Sequence, residues 1–131
     1  MEKELADVLI CHMKFHLPIG MGGPRFFSPN NLQKRVDFIQ EEFDEFKEAI
    51  AGRDLEKAVD ALIDMTYVIK GTAVMFGISP QCWDDLWTEV HSANMQKEAS
   101  GVDDYHFGLK KPAGWVPPRI GMVLKKHGAD I

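Results

Sequence analysis

Apolar residues recur every three or four positions through the first three quarters of the chain, the spacing of helices with one buried face. Leu5, Val8, Leu9, His12, Phe15 and His16 mark a first helix from about Lys3 to His16, ended by Pro18. The Gly- and Pro-rich stretch PIGMGGPRFFSPN then reads as a loop. It is long for a connection between helices, and such loops often carry function. Asn30 or Asn31 is placed to cap a second helix whose stripe is Leu32, Val36, Ile39, Phe43, Phe46 and Ile50, running to about Ala51. Gly52 stops it, and Asp54 caps a third helix from about Leu55 to Phe76. The short turn between them predicts two antiparallel neighbours. From Ala58 to Met75 the third helix is apolar nearly all round, with Asp60, Asp64 and Lys70 as the charged exceptions, which predicts a central, buried helix. Gly77 closes it. Ser79 and Pro80 open a fourth helix, carrying Trp83, Leu86, Trp87 and Val90 and ending near Lys97.

Beyond Glu98 the periodicity fades into loop, with room for a short hairpin and a last helical turn or two from Pro118 to Lys126. The expected architecture is one all-α domain over residues 1–131. Its helical core spans about 3–97, and an irregular C-terminal arm spans 98–131. A length of 131 residues suffices for one core. The apolar share of 45% and the charged share of 27% are those of a soluble globular protein. A net charge of −5 argues against a duplex nucleic acid as partner. The N-terminal run is broken by His12, Lys14 and His16, so it reads as neither signal peptide nor membrane span. Cys11 and Cys82 stand far apart with no CxxC, which excludes a zinc ribbon and suits a reducing, cytoplasmic setting; both read as structural thiols.

The strongest chemical signal is EEFDEF followed by DALID. Glu42 and Glu45 share one helical face, Glu41 sits beside Glu45, and Asp60 and Asp64 lie one turn apart on the next helix. Across an antiparallel hairpin these two acidic patches fall at similar heights. Up to five converging carboxylates repel one another, and burying them uncompensated is expensive. A hard cation such as Mg²⁺ resolves both problems, since it takes oxygen ligands and bridges to phosphates. The competing reading is a solvated acidic face, which fits Asp44, Glu48 and Glu56. It fits Asp60 and Asp64 poorly, because they interrupt an apolar helix.

These stretches resemble the MazG-like, all-α NTP pyrophosphatase superfamily, which includes phosphoribosyl-ATP pyrophosphohydrolases. EEFDE fits its EExxE motif. Asp64 takes the Asp position of the following ExxD motif, while Ala61 stands at the Glu position. Asp60 is the replacement suggested by small phage and bacterial members with a DALxD version. DALIDMTYVIKGTAVMFGI, HSANMQK and KKPAGWVPP resemble further segments, so the similarity spans about Arg35 to Pro118. The resemblance implies a four-helix bundle-like unit that dimerises, sometimes into a dimer of dimers. It also implies a Mg²⁺-dependent hydrolase, with Mn²⁺ as a substitute, that converts a nucleoside triphosphate to monophosphate and pyrophosphate. Glu41, Glu42, Glu45, Asp60 and Asp64 would hold metal, and Glu41 or Glu42 would orient or deprotonate water. Asn94, Lys97 and Lys111 would contact phosphates or sugar.

Arg35, two turns before Glu42, is expected to pair with a carboxylate, with phosphate contact as the alternative. His16, with His12 and Phe15, is a candidate lining for a base pocket, although His12, Phe15 and Phe38 read more readily as core. Trp83, Trp87 and Trp115 read as packing or dimer-interface residues. The rival functions are phosphoribosyl-ATP hydrolysis, a di-iron bundle and a non-enzymatic helical interaction module. The di-iron bundle lacks the Glu-x-x-His motif it needs.

Overall fold

The computed structural model describes residues 3–131. Its helices are α1 (Lys3–Lys14), α2 (Pro29–Ala51), α3 (Leu55–Met75), α4 (Pro80–Met95) and α5 (Ile120–Lys126). The only strands among the described residues, β1 (Glu98–Ala99) and β2 (Leu109–Lys110), pair antiparallel with Glu98 opposite Lys110. The fold is all-α, and no single helix among the described residues is long and apolar enough to cross a membrane.

Local chemistry sets the helix ends. Asp54 accepts a hydrogen bond from the Lys57 N–H at 3.1 Å and opens α3, and Ser79 accepts from the Cys82 N–H at 3.1 Å and opens α4. The α2 cap is Ser28, not Asn30 or Asn31. Its hydroxyl accepts from the Asn31 N–H at 3.4 Å, with Pro29 at the first helical position. The Ser28–Pro29 pair repeats the chemistry of Ser79–Pro80. α1 stops at Lys14, short of His16, which adopts a left-handed φ of 55° and leaves the helical path.

α3 is the centre of the fold, with α2 along one side and α1 across another. α4 turns from α3 by 115° and packs on α1, and α5 packs on α4. The core gathers Leu5 and Val8 of α1 with Ala73 and Val74 of α3, flanked by Leu9, Ile19, Ile78 and Trp83. It therefore lies at the C-terminal half of α3. The buried Lys70 there is paired with Glu4 at 2.9 Å and sits over the Trp83 ring. Of the cysteines, Cys82 is buried and Cys11 half-buried, and both are free thiols.

In the N-terminal half of α3 only the small residues Ala58 and Ala61 are covered in the single chain, while Leu55, Val59, Leu62 and Ile63 are exposed. The α2 stripe splits in the same way. Leu32, Ile39 and Phe46 are half-buried, while Val36 (58%), Phe43 (45%) and Ile50 (56%) face outward. Phe15 and Phe38, expected in the core, are also exposed. The physical reason is that the α2–α3 hairpin carries apolar residues on more sides than α1 can cover.

Three segments also meet backbone to backbone. A Cβ on Gly20 would lie 2.3 Å from the Gly77 nitrogen, one on Gly77 would lie 2.5 Å from the Gly23 oxygen, and one on Gly23 would lie 2.9 Å from the Gly128 oxygen. Only glycine fits these approaches, and Gly77 and Gly23 also hold positive φ. The Gly20 N–H to Val74 O and Arg25 N–H to Phe76 O bonds complete the junction.

Candidate metal centre

Small residues let the two hairpin helices approach: Ala49 of α2 and Ala58 and Ala61 of α3 are all buried. Within that narrow seam the structure brings together Glu42, Glu45 and Asp64. One carboxylate oxygen from each lies within 4.8 Å of the others. Glu42 is the deepest, at 8% exposure, and its Oε2 is buried with no hydrogen-bond partner. Burial pushes the Glu42 carboxyl above its usual range, and the negative charge of Glu45, a proton-sharing contact with Glu45, and then Asp64 and Glu41 push it the same way. An orphaned buried oxygen among three acidic groups lacks a positive charge. The donors are all hard carboxylate oxygens, so the residues fit Mg²⁺ or Mn²⁺.

Glu41 and Asp60 are exposed and stand outside that trio. Glu41 lines an outer groove of about 480 Å³ with Asp37, Asp44, Glu45 and Glu48. Asp60 lines a cleft of about 450 Å³ between the helices with Glu45, Glu48 and Lys57. Glu45 belongs to both, so the two outer carboxylates flank the trio through it. Buried Ala61 points where the related motif carries Glu; Asp60, one residue earlier, is turned away by one helical step.

Arg35 does not make the expected ion pair: among the described residues no carboxylate lies within salt-bridge distance of it. Its Nε–H donates to Met75 Sδ at 2.9 Å, and an NH2 nitrogen lies 3.4 Å from His12 Nε2. His12 Nδ1 is 2.8 Å from the Pro18 carbonyl, so Nδ1 carries the proton and Nε2 is left to accept. The space for this contact is made by Gly71, where an added Cβ would sit 3.1 Å from His12 Nε2 and 3.2 Å from Arg35. Arg35 meets Gly71 as Glu42 meets Asp64, two turns further along each antiparallel helix, about 10 Å away. Partial burial lowers the Arg35 pKa. His12 is a satisfied buried histidine, and His16 is exposed beyond α1.

Lys97 and Lys111 both stand over the Trp115 ring, 5.6 Å and 5.0 Å from its centroid. Asn94 is exposed on the last turn of α4 beside them. Among the described residues no hydrogen bond or ion pair joins this group to the acidic trio. The sequence reading missed two things here. One was the role of Trp115 in holding two lysines, for which KKPAGW was the available signal. The other was Gly71, signalled by a glycine inside an otherwise apolar helical run.

A family model described as phosphoribosyl-ATP pyrophosphohydrolase matches residues 14–94. No curated protein matches the chain at a significant level. The matched span covers well over half of the chain and contains Glu42, Glu45 and Asp64. The protein therefore belongs to the phosphoribosyl-ATP pyrophosphohydrolase family, nucleotide pyrophosphohydrolases within the MazG-like all-α NTP pyrophosphatase superfamily.

Proposed function

We propose that this pyrophosphohydrolase acts on nucleoside triphosphates, releasing the monophosphate and pyrophosphate. The observation that supports metal-dependent hydrolysis most is the unpaired buried oxygen of Glu42 beside Glu45 and Asp64, and the HSANMQK and KKPAGWVPP stretches favour the triphosphate. Those three residues hold the ion, with Glu41 and Asp60 flanking it. Mg²⁺, for which Mn²⁺ substitutes, supplies positive charge against the phosphate oxygens. Glu41 or Glu42 orients a water molecule and takes its proton. The water oxygen attacks a phosphorus at the α–β bridge, the bridging P–O bond breaks, and pyrophosphate leaves. Lys97 and Lys111 contribute charge toward the phosphates as point cations, with Asn94 beside them. Arg35 keeps donors for a phosphate contact, since an arginine carries five N–H groups and among the described residues two of them are engaged. His16 is assigned to the edge of the base site. The chain works as a homodimer or dimer of dimers, because Val36, Phe43, Ile50, Leu55 and Ile63 are uncovered in the single copy.

The second reading is phosphoribosyl-ATP as substrate, favoured by the description of the matching family model. One experiment separates the two. Purified protein is incubated with each common NTP and dNTP and with phosphoribosyl-ATP, in Mg²⁺ or in EDTA, and pyrophosphate is measured. Metal-dependent release from a triphosphate panel supports the first reading, and release from phosphoribosyl-ATP alone supports the second. Release that ignores EDTA removes the metal from both.

A further inference from the structure

The glycine-rich loop after α1 is clamped to the C-terminal end of α3 and encloses a cavity of about 450 Å³ against it. The Gly20 and Arg25 N–H groups donate to the Val74 and Phe76 carbonyls at 3.0 Å and 2.9 Å. The Phe26 and Phe27 rings meet Phe76 edge to face, with centroids 5.5 Å and 4.8 Å away. Ile19, Met21, Phe26, Phe27 and Met75 give the cavity apolar walls. Met21 and Phe26 are exposed and stand at its mouth with Arg25. Gly- and Pro-rich connections are ordinarily mobile. Here main-chain bonds fix the loop, so the cavity is formed before any ligand arrives.

The cavity continues the line of the metal centre. Glu42 and Asp64 meet at one level of the α2–α3 seam, Arg35 and Gly71 meet two turns further on, and Met75 lies one turn beyond Gly71. Met75 Sδ accepts the Arg35 Nε–H at 2.9 Å and the same residue lines the cavity, so guanidinium and cavity share a wall. Among the described residues neither Arg25 nor Arg35 has an ion-pair partner, in a chain of net charge −5. The seam thus runs from carboxylate oxygens, past arginine donors, to an apolar aromatic end. A nucleotide has the same order: phosphates that share a metal ion, a sugar rich in acceptors, and a flat ring with apolar faces.

We propose that this cavity seats the nucleobase of the substrate, with its ring against Phe26 and Met75 and with Arg35 donating to acceptors on the sugar or the base edge. The inference rests on the reading of Glu42, Glu45 and Asp64 as the metal and polyphosphate site under the proposed function. Every base has a π-face, so an aromatic wall holds purines and pyrimidines alike. The planar guanidinium of Arg25 at the mouth suits the outer face of the same ring. An acyl chain or an apolar peptide side chain would fill the walls equally well but would leave both arginines unused.

The probes are the α,β-imido analogues of ATP and dTTP, whose α–β bridge resists hydrolysis, and inorganic tripolyphosphate. Each is titrated with Mg²⁺ by calorimetry into the full chain. The tighter nucleotide should bind about tenfold or more above tripolyphosphate, the difference being the contribution of base and sugar. Phe26→Ala, at an exposed position, should weaken that nucleotide about tenfold, the scale of one lost base–aromatic stack, and leave tripolyphosphate within about twofold. Met21→Trp, which fills the mouth from an exposed position, should do the same. Circular dichroism and thermal melts check that both variants keep the wild-type fold. Equal affinity for nucleotide and tripolyphosphate, unchanged nucleotide affinity in both variants, or equal losses for the two ligands would each overturn the proposal. If the variants lose the base-dependent part of binding while the wild type hydrolyses no nucleotide, the catalytic reading fails and this one stands. Hydrolysis with a KM indifferent to both variants gives the reverse.

Discussion

Glu42→Gln is expected to stabilise the metal-free protein while abolishing its function. The Glu42 Oε2 is buried, has no donor, and lies with Glu45 and Asp64 inside 4.8 Å. The amide keeps the shape, removes one negative charge, and offers an N–H₂ to the neighbouring carboxylates. Relieving one buried unsatisfied polar atom is worth about 1–3 kcal/mol. For a chain of this length each kcal/mol moves Tm by roughly 3–5 °C, so the metal-free variant should melt several degrees higher. The wild type should overtake it when Mg²⁺ is added, since an ion at a hundred times its Kd contributes about 2.7 kcal/mol to the form that binds it. Thermal melts in EDTA and in a Mg²⁺ series, with pyrophosphate release in parallel, read all three effects. A lower Tm in EDTA, or a full Mg²⁺-induced shift in the variant, would show that Glu42 is not an electrostatic liability awaiting a cation.

Gly71→Ala should lose about 1–2 kcal/mol despite alanine's better helix propensity, because His12 is pinned to Pro18 and Arg35 to Met75, so neither can yield to the new methyl; denaturant melts measure it. Phe43→Glu should shift the protein toward monomer in analytical ultracentrifugation with its helical content kept, since Phe43 lies on the uncovered face of α2. Acid should release the arm. Asp85 is held below its ordinary value of 3.8 by His127 first, then Gln81, Lys126 and the His127 charge, and Glu89 is held below 4.5 by Arg119. Groups with depressed folded pKa values contribute stability that is complete above the ordinary values and lost as pH falls through the folded ones. Hydrogen exchange of the α5 amides should therefore rise below about pH 4, ahead of exchange in the α3 core, and unchanged relative protection across that range would contradict a role for the Asp85–His127 and Glu89–Arg119 contacts in holding the arm.

Much of this fold was legible because its signals are local. Asp54 and the Ser79–Pro80 pair marked their helix starts from sequence, since a cap needs only the next three residues. Ser28 is less legible although Pro29 follows it in the same way, because Asn30 and Asn31 are equally good cap residues. The spacing of Glu42, Glu45 and Asp64 placed them on facing helices. It could not tell which carboxylates turn inward, because that depends on how α2 rotates against the alanine seam of α3. Glu41 and Asp60 fall outside the trio, in which only Glu42 is buried. The Arg35–His12–Gly71 contact joins residues from three helices, and no short-range pattern reports it. The same holds for the pairing of Asp85 with His127. The apolar surplus on α3 was visible in the sequence, but periodicity counts apolar faces without saying whether the same chain supplies the cover.

The glycine junction links regions that otherwise share little. Because Gly20, Gly23, Gly77 and Gly128 touch through main-chain atoms, no side chain there can change rotamer to absorb a shift. A pull on the polypeptide just past Gly128 is thus transmitted as displacement to the Gly-rich segment after α1.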